Sequence, residues 1–111
     1  MLRLSEARRI LAYSEPVDMR KSFDGLISVT QHVLKQDPLS GSLFLFSNRR
    51  GNLVKILCWD RTGYCLYAKR LERGRFRFRP GELSVRELEL MLDGISLGRR
   101  QRTNSAVHSF A

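Results

Sequence analysis

The chain has 111 residues, of which 42% are hydrophobic and 28% are charged. This length supports one domain with one hydrophobic core, and the apolar content excludes an intrinsically disordered chain. No apolar run approaches the roughly 20 residues of a membrane-spanning helix, and charges interrupt the N-terminal segment where a signal peptide would need its apolar core, so we expect a cytoplasmic protein.

The net charge of +9 is unevenly distributed along the chain. Residues 49–79 carry ten Lys and Arg against two Asp and Glu, a net charge of +8, whereas residues 1–48 and 80–111 are almost neutral. A local excess of cations indicates a polyanionic partner, most often a nucleic acid, because neutralised phosphates release their counterions. A surface that only keeps the protein in solution is the alternative interpretation.

A short strand and an amphipathic helix are the first predicted elements. Residues 9–13 are predicted to form an edge strand. Apolar residues then recur at helical spacing, and we expect this helix to begin between Asp18 and Ser22, whose side chains could accept its first N–H groups, and to end before Pro38. Gly25 costs this helix about 1 kcal/mol relative to alanine, which indicates close packing at that position.

Three apolar segments, at residues 42–47, 52–59 and 64–69, are predicted to form an antiparallel β-meander, and residues 75–78 could add a fourth short strand. The turns contain Asn-Arg-Arg-Gly and Asp-Arg-Thr-Gly, which are typical of three-residue hairpin loops closed by a glycine. In that register one sheet face collects only uncharged side chains: Phe44, Phe46, Val54, Ile56, Cys58, Tyr64, Leu66 and Ala68.

The opposite face would carry two aromatic residues beside two lysines. Trp59 and Tyr67 would lie near Lys55 and Lys69, where the rings could stack on bases or sugars. Burial of both rings under a helix is an equally good interpretation, because aromatic side chains usually cover sheets. Which sheet face the helices cover is left open by the sequence.

The two cysteines are predicted to lie apart. Pairing of Trp59 with Cys65 directs Cys58 and Cys65 to opposite faces of the sheet, which argues against a disulfide or a shared metal ion. Elsewhere the chain has only His32 and His108, so no zinc-ligand spacing occurs. We therefore expect no metal and no cofactor.

A second helix is indicated near the C-terminus. Ser84 and Glu87 form a capping box, and Gly94 stands where a helix-ending glycine belongs. The buried stripe of this helix is predicted to be Val85, Leu88, Met91 and Leu92. Two helices packed with a small antiparallel sheet of three to five strands make an α+β domain over residues 1–98, followed by a basic polar tail over residues 99–111.

The acidic residues offer little for catalysis. Asp60 has the position of a turn residue. Asp18 and Asp24 lie near the start of the first predicted helix, where a carboxylate interacts favourably with the helix dipole. The sequence contains no Ser-His-Asp order, phosphate-binding glycine loop or set of metal-binding carboxylates. We therefore do not expect an enzyme, and a nuclease acting alone is the least favoured interpretation.

The arginines are the stronger functional signal. Turn geometry does not require them, and the planar guanidinium can bind a phosphate through two hydrogen bonds. The candidate nucleic-acid contacts are Arg49, Arg50, Lys55, Arg61, Lys69, Arg70, Arg73, Arg75 and Arg77.

Four long motifs carry a family resemblance. They are PVDMRKSFDGL at residues 16–26, DPLSGSLFLFSNRRG at 37–51, VKILCWDRTGYCLYAKRLERGRF at 54–76 and ELSVRELELMLDGI at 82–95. Through them the chain resembles the short accessory protein, encoded by the second open reading frame, of the insertion sequence 66 family of bacterial transposable elements. The resemblance implies a component of DNA transposition whose strand-transfer chemistry lies in a separate DDE transposase, and it implies no catalytic residues here.

Two hypotheses of different class follow. In the first, the basic meander binds DNA and helps to assemble the complex of DNA with the transposase of the same element. In the second, the chain is a protein-interaction module that docks on the transposase without touching DNA. The candidate docking residues are Asp18, Met19, Arg20, Lys21, Trp59 and Tyr67. The sequence leaves the state of self-association open.

Overall fold

In the computed structural model, which describes residues 7–77 and 79–94, five strands and two helices follow one another along the chain. They are β1 (Ile10–Ala12), α1 (Phe23–His32), β2 (Leu43–Ser47), β3 (Leu53–Asp60), β4 (Gly63–Arg70), β5 (Gly81–Glu82) and α2 (Val85–Leu92). The strands form one sheet in the order β4-β3-β2-β1-β5, which confirms the α+β class. The predicted tail at residues 99–111 lies outside the described residues.

Strand β1 lies inside the sheet, so its predicted edge position is wrong. It runs parallel to β2, with Ile10 opposite Leu43, because α1 returns the chain across the sheet between these two strands. On its other side β1 pairs antiparallel with β5, where Leu11 lies opposite Glu82. The predicted strand at residues 75–78 is also wrong, since residues 75–77 lie in no strand and the short additional strand forms at β5 instead.

Strand β2 is the centre of the core. Its four consecutive apolar residues, Leu43 to Phe46, are each at most 1% exposed. A continuous apolar run of this kind is typical of a strand that is covered on both faces. Because successive side chains point to opposite faces, β2 needs a covering layer on each side of the sheet.

The two helices supply these layers on opposite faces. Helix α1 packs Leu26 on the face that presents Phe44, Phe46 and Leu57. Helix α2 covers the other face, where the cluster of buried residues is Ile10, Ala12, Leu43, Leu45, Val54, Ile56, Phe76, Leu83, Leu88 and Met91. None of the helices in the described part of the chain is long and apolar enough to span a bilayer.

The hairpin between β2 and β3 has a register one residue away from the predicted one. Phe46 lies opposite Lys55, where pairing with Val54 was expected. The reason is a longer loop, because the backbone carbonyl of Asn48 accepts from the N–H of Gly51 and is therefore occupied within the turn. The N–H of Leu53 donates to the side-chain Oδ1 of Asn48 instead (3.1 Å), which leaves four residues in the loop.

The hairpin between β3 and β4 is also shifted by one residue. Asp60 lies opposite Gly63, so the turn consists of Arg61 and Thr62 alone. Arg61 takes the left-handed conformation, with a φ of +54°, and Gly63, which was expected to close a three-residue loop, is the first residue of β4. A two-residue turn with a left-handed residue matches the twist of the flanking strands, although glycine, asparagine and aspartate are the usual residues there.

These shifts overturn the predicted assignment of the sheet faces. The uncharged face does not exist, because Lys55 shares a face with the phenylalanines of β2 and Lys69 lies on the other. Trp59 and Tyr67 lie on opposite faces, where a shared face was predicted. Cys58 and Cys65, which we placed apart, lie directly opposite each other on one face.

The start of α1 also differs from its prediction. Ser22 precedes the helix but its side chain accepts no hydrogen bond from it, and Asp18 instead accepts the backbone N–H of Arg20. The close packing expected at Gly25 is confirmed, since a Cβ there would lie 3.0 Å from Cβ and Cγ of Lys21. The stem of this lysine therefore lies against the first turn of the helix.

Helix α2 follows its prediction except at Val85, which was expected in the buried stripe and is 37% exposed. The hydroxyl of Ser84 accepts the N–H of Glu87 (3.0 Å), and the Glu87 carboxylate accepts the N–H of Ser84 (2.8 Å). Leu88 and Met91 are fully buried, and Gly94 follows the end of the helix. A local signal and a local structure agree here because the capping box involves only four neighbouring residues.

The register of β3 and β4 predicts a specific cross-link. Residues directly opposite on antiparallel strands have Cα atoms about 4.5–5.5 Å apart, within the range of about 4.4–6.8 Å that disulfides span. We expect diamide to oxidise Cys58 and Cys65 to an intramolecular disulfide, the two thiols losing two protons and two electrons to the reagent. Because burial raises the pKa of the Cys58 thiol, the reaction should be fastest at alkaline pH.

Mass spectrometry of the unreduced and the reduced protein measures this product. The protein should lose two mass units without dimerising, and Cys58→Ser should abolish the loss. A monomer that keeps both thiols under conditions that oxidise a control dithiol peptide would contradict the register.

Candidate nucleic-acid interface

The loop between β2 and β3 presents two arginines at one end of the sheet. The amide of Asn48 holds the loop together, because its Nδ2 donates to Oδ1 of Asn52 (2.7 Å) while its Oδ1 accepts from the N–H of Leu53. Arg49 and Arg50 stand exposed at the tip. The polar groups of the loop are thus largely satisfied within it, and the two guanidinium groups remain directed outward.

The segment after β4 folds back onto this loop. The N–H of Leu71 donates to the carbonyl of Asn52 (2.8 Å), and the N–H of Phe76 donates to the carbonyl of Gly51 (2.7 Å). The Phe76 side chain is buried in the cluster beneath α2. This anchor leaves its two neighbours, Arg75 and Arg77, exposed beside the loop.

A cleft of about 260 Å³ lies between the loop and the returning segment. Arg49 lines one wall, and Arg75 and Arg77 line the other, with Tyr13 and Pro16 also in contact with the space. None of the described residues that line it is acidic. We call this space the arginine cleft.

Ion pairing divides the arginines of the protein into two groups. Five lie within 4 Å of a carboxylate: Arg9 with Glu82, Arg20 with Asp18, Arg61 with Asp60, Arg70 with Glu72, and Arg79 with Glu87. Within residues 7–77 and 79–94, no carboxylate lies that close to Arg49, Arg50, Arg73, Arg75 or Arg77. Within the same residues Arg8 and Arg86 also lack such a partner, so five of the seven unpaired arginines lie in the β2–β3 loop and the returning segment that form the arginine cleft.

Arg61 lies apart from this group. It occupies the β3–β4 turn, whereas the arginine cleft is at the other end of β3. The eight residues of β3 separate the two ends by about 25 Å, at about 3.3 Å per residue. The structure thus divides the predicted nucleic-acid contacts, bringing Arg49, Arg75 and Arg77 together and leaving Arg61 distant.

The two predicted lysine contacts point into the protein. Nζ of Lys55 donates to the carbonyl oxygens of Met19 and Lys21, each at 2.9 Å, and so holds the chain just before α1. Nζ of Lys69 donates to the carbonyl of Leu92 (2.7 Å) at the C-terminal end of α2. A cation is favourable there because the last carbonyls of a helix carry partial negative charge.

The predicted docking residues 18–21 form a compact turn before α1. The N–H of Lys21 donates to the carbonyl of Asp18 (3.0 Å), and Met19 packs against the core beneath α1. Nη2 of Arg20 donates to Oδ2 of Asp18 (2.7 Å). Hydrogen bonds from the Arg20 guanidinium, and then from its backbone N–H, lower the pKa of the Asp18 carboxyl to about 2. Asp18 and Arg20 are exposed, so their charged groups are open to a partner.

The aromatic docking candidates do not form one surface. Trp59 packs edge-on against Tyr64, with ring centroids 5.1 Å apart, on the face of α1. Tyr67 is 38% exposed on the other face. A partner that contacts both rings would have to reach around the edge strand β4.

The described residues show no constellation for metal chemistry. Within residues 7–77 and 79–94, no three His, Cys, Asp or Glu side chains lie close enough to share a metal ion. The sequence signals missed two features of the arginine cleft, namely Tyr13 and the approach of Arg75 to the β2–β3 loop. Both depend on chain segments that are distant in sequence, and no local pattern predicts them.

Comparisons with known proteins support the resemblance drawn from the motifs. A family model described as "IS66 Orf2 like protein" matches residues 8–102, which include both walls of the arginine cleft. The uncharacterised protein y4hO of Sinorhizobium fredii (strain NBRC 101917 / NGR234) is 38% identical over 108 residues, covering 93% of this chain and 94% of the relative. The uncharacterised protein y4jC of the same strain is 32% identical over 107 residues, covering 92% of each. No solved structure gives a significant match.

The hydrogen bond of Lys69 to the end of α2 predicts that replacing this lysine lowers the stability of the fold. We expect Lys69→Met to lower the free energy of unfolding by about 1–3 kcal/mol, because a charged donor is lost and the carbonyl of Leu92 is left without it. Urea unfolding followed by circular dichroism measures the change. Lys35→Met is the control, since Lys35 is exposed and its Nζ makes no hydrogen bond within the described residues, and it should stay within about 0.5 kcal/mol of the parent. Equal midpoints for the two variants would show that Lys69 is not structural.

Proposed function

This chain belongs to the family of IS66 Orf2 like proteins, and from that membership we propose a non-catalytic accessory factor for transposition of an insertion element. In this proposal the protein binds DNA through the arginine cleft and assists a separate transposase. The family itself is associated with transposition, and the choice of DNA as the direct ligand rests on the residues of this chain.

The distribution of unpaired arginines supports DNA as that ligand. Solvated surface arginines are readily paired with neighbouring carboxylates, and five in this protein are. Of the seven arginines without such partners in residues 7–77 and 79–94, five lie in the β2–β3 loop and the returning segment, and three of these line the arginine cleft. A polyanion is the ligand that would neutralise them, and their guanidinium groups can each bind a phosphate in a bidentate manner.

The rigidity of the two walls adds to this argument. Asn48 fixes the loop that carries Arg49, and buried Phe76 fixes the segment that carries Arg75 and Arg77. Three guanidinium groups on fixed backbone lose less freedom on binding a phosphate chain than three on a mobile tail. Contacts to phosphates do not depend on the base sequence, so we expect the protein to bind DNA without strong sequence preference.

The other predicted cations have lesser parts in this proposal. Lys55 and Lys69 hold the ends of the helices, and Arg61 could meet DNA only at the far end of the sheet. Arg50 and Arg73 are exposed in the two segments that form the arginine cleft, and we assign them to the same positive surface. Arg70 reaches the same end but is shared with Glu72, at 3.5 Å.

The salt dependence of binding tests this interface. For Arg75→Gln combined with Arg77→Gln, we expect the slope of log affinity against log salt concentration to decrease in magnitude by about two, since each phosphate-contacting arginine contributes about one. Fluorescence anisotropy with element-end and unrelated DNA measures the slope. Affinity should fall to a similar extent for both sequences.

Arg8→Gln combined with Arg86→Gln is the matched control. It removes the same charge from exposed positions before β1 and in the first turn of α2, away from the arginine cleft. The slope of this control should remain that of the parent. Equal losses in both double variants would contradict the cleft as the interface, and absence of binding at low salt would contradict DNA binding altogether.

A second candidate function is docking on the transposase. The observation in its favour is the turn at residues 18–21, which Lys55 holds rigid from below while Asp18 and Arg20 stand exposed. A fixed, charged turn suits recognition by a partner protein, because little freedom is lost when it binds. This function is compatible with DNA binding at the arginine cleft.

Co-purification separates direct docking from bridging by DNA. We expect the transposase of the same element to co-purify with this protein from nuclease-treated lysate, and Arg20→Glu to reduce the recovered amount several-fold by reversing the charge at the turn. Arg8→Glu makes the same charge change elsewhere and should recover the parental amount. Loss of the parental complex on nuclease treatment would contradict direct docking.

A further inference from the structure

We propose that the arginine cleft receives a single DNA strand with unstacked bases, in preference to intact duplex. This inference rests on the proposed DNA-binding function and narrows its ligand. It is carried by the size of the cleft, by the placement of the arginines on two walls, and by Tyr13 in the lining of the cleft.

The size of the cleft favours one strand. Its volume of about 260 Å³ is close to the lower end of small-molecule sites, which begin at roughly 300 Å³. A nucleotide unit is a ligand of this scale, whereas a duplex is far wider than the space between the loop and the returning segment. A duplex could meet only the rims.

The placement of charge favours the same ligand. Arg49 approaches from the β2–β3 loop, and Arg75 and Arg77 approach from the segment that packs onto it. A single sugar-phosphate chain that passes between the walls would meet guanidinium groups from both sides. The phosphates of a duplex lie on its outside and would meet one wall at a time.

Tyr13 supplies an aromatic surface inside the cleft. Its backbone N–H donates to the carbonyl of Leu45 (3.0 Å), and its ring packs edge-on against Phe46, with centroids 6.3 Å apart and an interplanar angle of 63°. The tyrosine is only half-buried and lines the cleft together with Pro16. A base can stack on such a ring only when its own face is free, which holds for single strands and frayed ends.

The polar groups near the cleft give little means of reading base edges. The amide of Asn48 is engaged with Asn52 and with the backbone of Leu53. The small hydroxyls of Ser14 and Ser47 also line the cleft, but its main features are charge for phosphate and a ring for stacking, the combination found in proteins that bind single strands without sequence preference. We therefore expect the protein to bind single strands of different base sequence with similar affinity, and to bind single strands more tightly than duplex.

Binding of matched oligonucleotides tests this inference. At equal salt, a short fluorescent oligothymidine should bind about tenfold more tightly than a duplex of the same length, a difference of about 1.4 kcal/mol that one base stacked on an aromatic residue can supply. Tyr13→Leu should reduce the affinity for oligothymidine about fivefold or more and reduce the affinity for duplex by a clearly smaller factor. Tyr13→Phe retains the ring and should retain the preference.

A cross-linking measurement on the parental protein tests the same inference even if Tyr13→Leu does not fold. Oligothymidine substituted with 5-iodouracil should, on irradiation of the parental protein, cross-link to the peptide that contains Tyr13. Cross-linking confined to peptides away from residues 13–16, 48–51 and 75–77 would overturn the placement of the strand.

The remaining outcomes separate this inference from the proposed function. Equal affinity for single strand and duplex, with both lost in the Arg75→Gln and Arg77→Gln variant, would overturn the strand preference and leave DNA binding intact. Binding of neither DNA would overturn both. Tighter binding of oligouridine RNA than of oligothymidine would overturn DNA as the preferred strand, and single-strand binding that is insensitive to those two arginine changes would overturn the cleft as its site.

Discussion

Burial of strand β2 on both faces is the constraint on which the remaining architecture depends. Four consecutive apolar residues of β2 can leave water only if each face has its own helix, and α1 and α2 accordingly lie on opposite sides. Strand β4 then lies at one edge of the sheet and β5 at the other, about 19 Å away at about 4.8 Å per strand. Residues 71–77 leave β4 at one end of the sheet and lead across it towards β5. This crossing brings the arginines of the returning segment to the β2–β3 loop.

The same architecture assigns the cations to different tasks. The lysines of β3 and β4 lie beneath or beside the helices, where an unpaired ammonium would be costly, and they donate to carbonyl oxygens at the helix ends. Other arginines are paired with carboxylates on the surface, where such pairs contribute little stability. The crossing segment and the loop it contacts carry arginines with no carboxylate within reach in residues 7–77 and 79–94. Several of the cations therefore have structural partners, and the arginines of the loop and the crossing segment, which carry most of the local net charge, remain for a ligand.

The sequence predicted what depends on neighbouring residues and missed what depends on distant ones. The capping box of α2, the existence of the meander and the close packing at Gly25 all follow from local patterns. The registers failed because the Asn48 side chain replaces a backbone acceptor in one hairpin and Arg61 takes a left-handed conformation in the other. The parallel pairing of β1 requires knowledge of the whole chain path. For the same reason the sequence identified the arginines and could not predict which of them converge.

Gly51 belongs both to the β2–β3 turn and to the arginine cleft. Its φ of +78° suits glycine, and this conformation closes the loop that sets the register of β2 with β3. Its carbonyl also accepts the N–H of Phe76, and a Cβ at this position would already lie 3.4 Å from the Cβ and Nε of Arg75. Glycine thus gives the backbone its turn, and the same residue holds the segment of Arg75 through its carbonyl and lies in direct contact with the Arg75 side chain. A glycine that sequence reasoning explains by turn geometry alone therefore also positions a candidate ligand-binding charge.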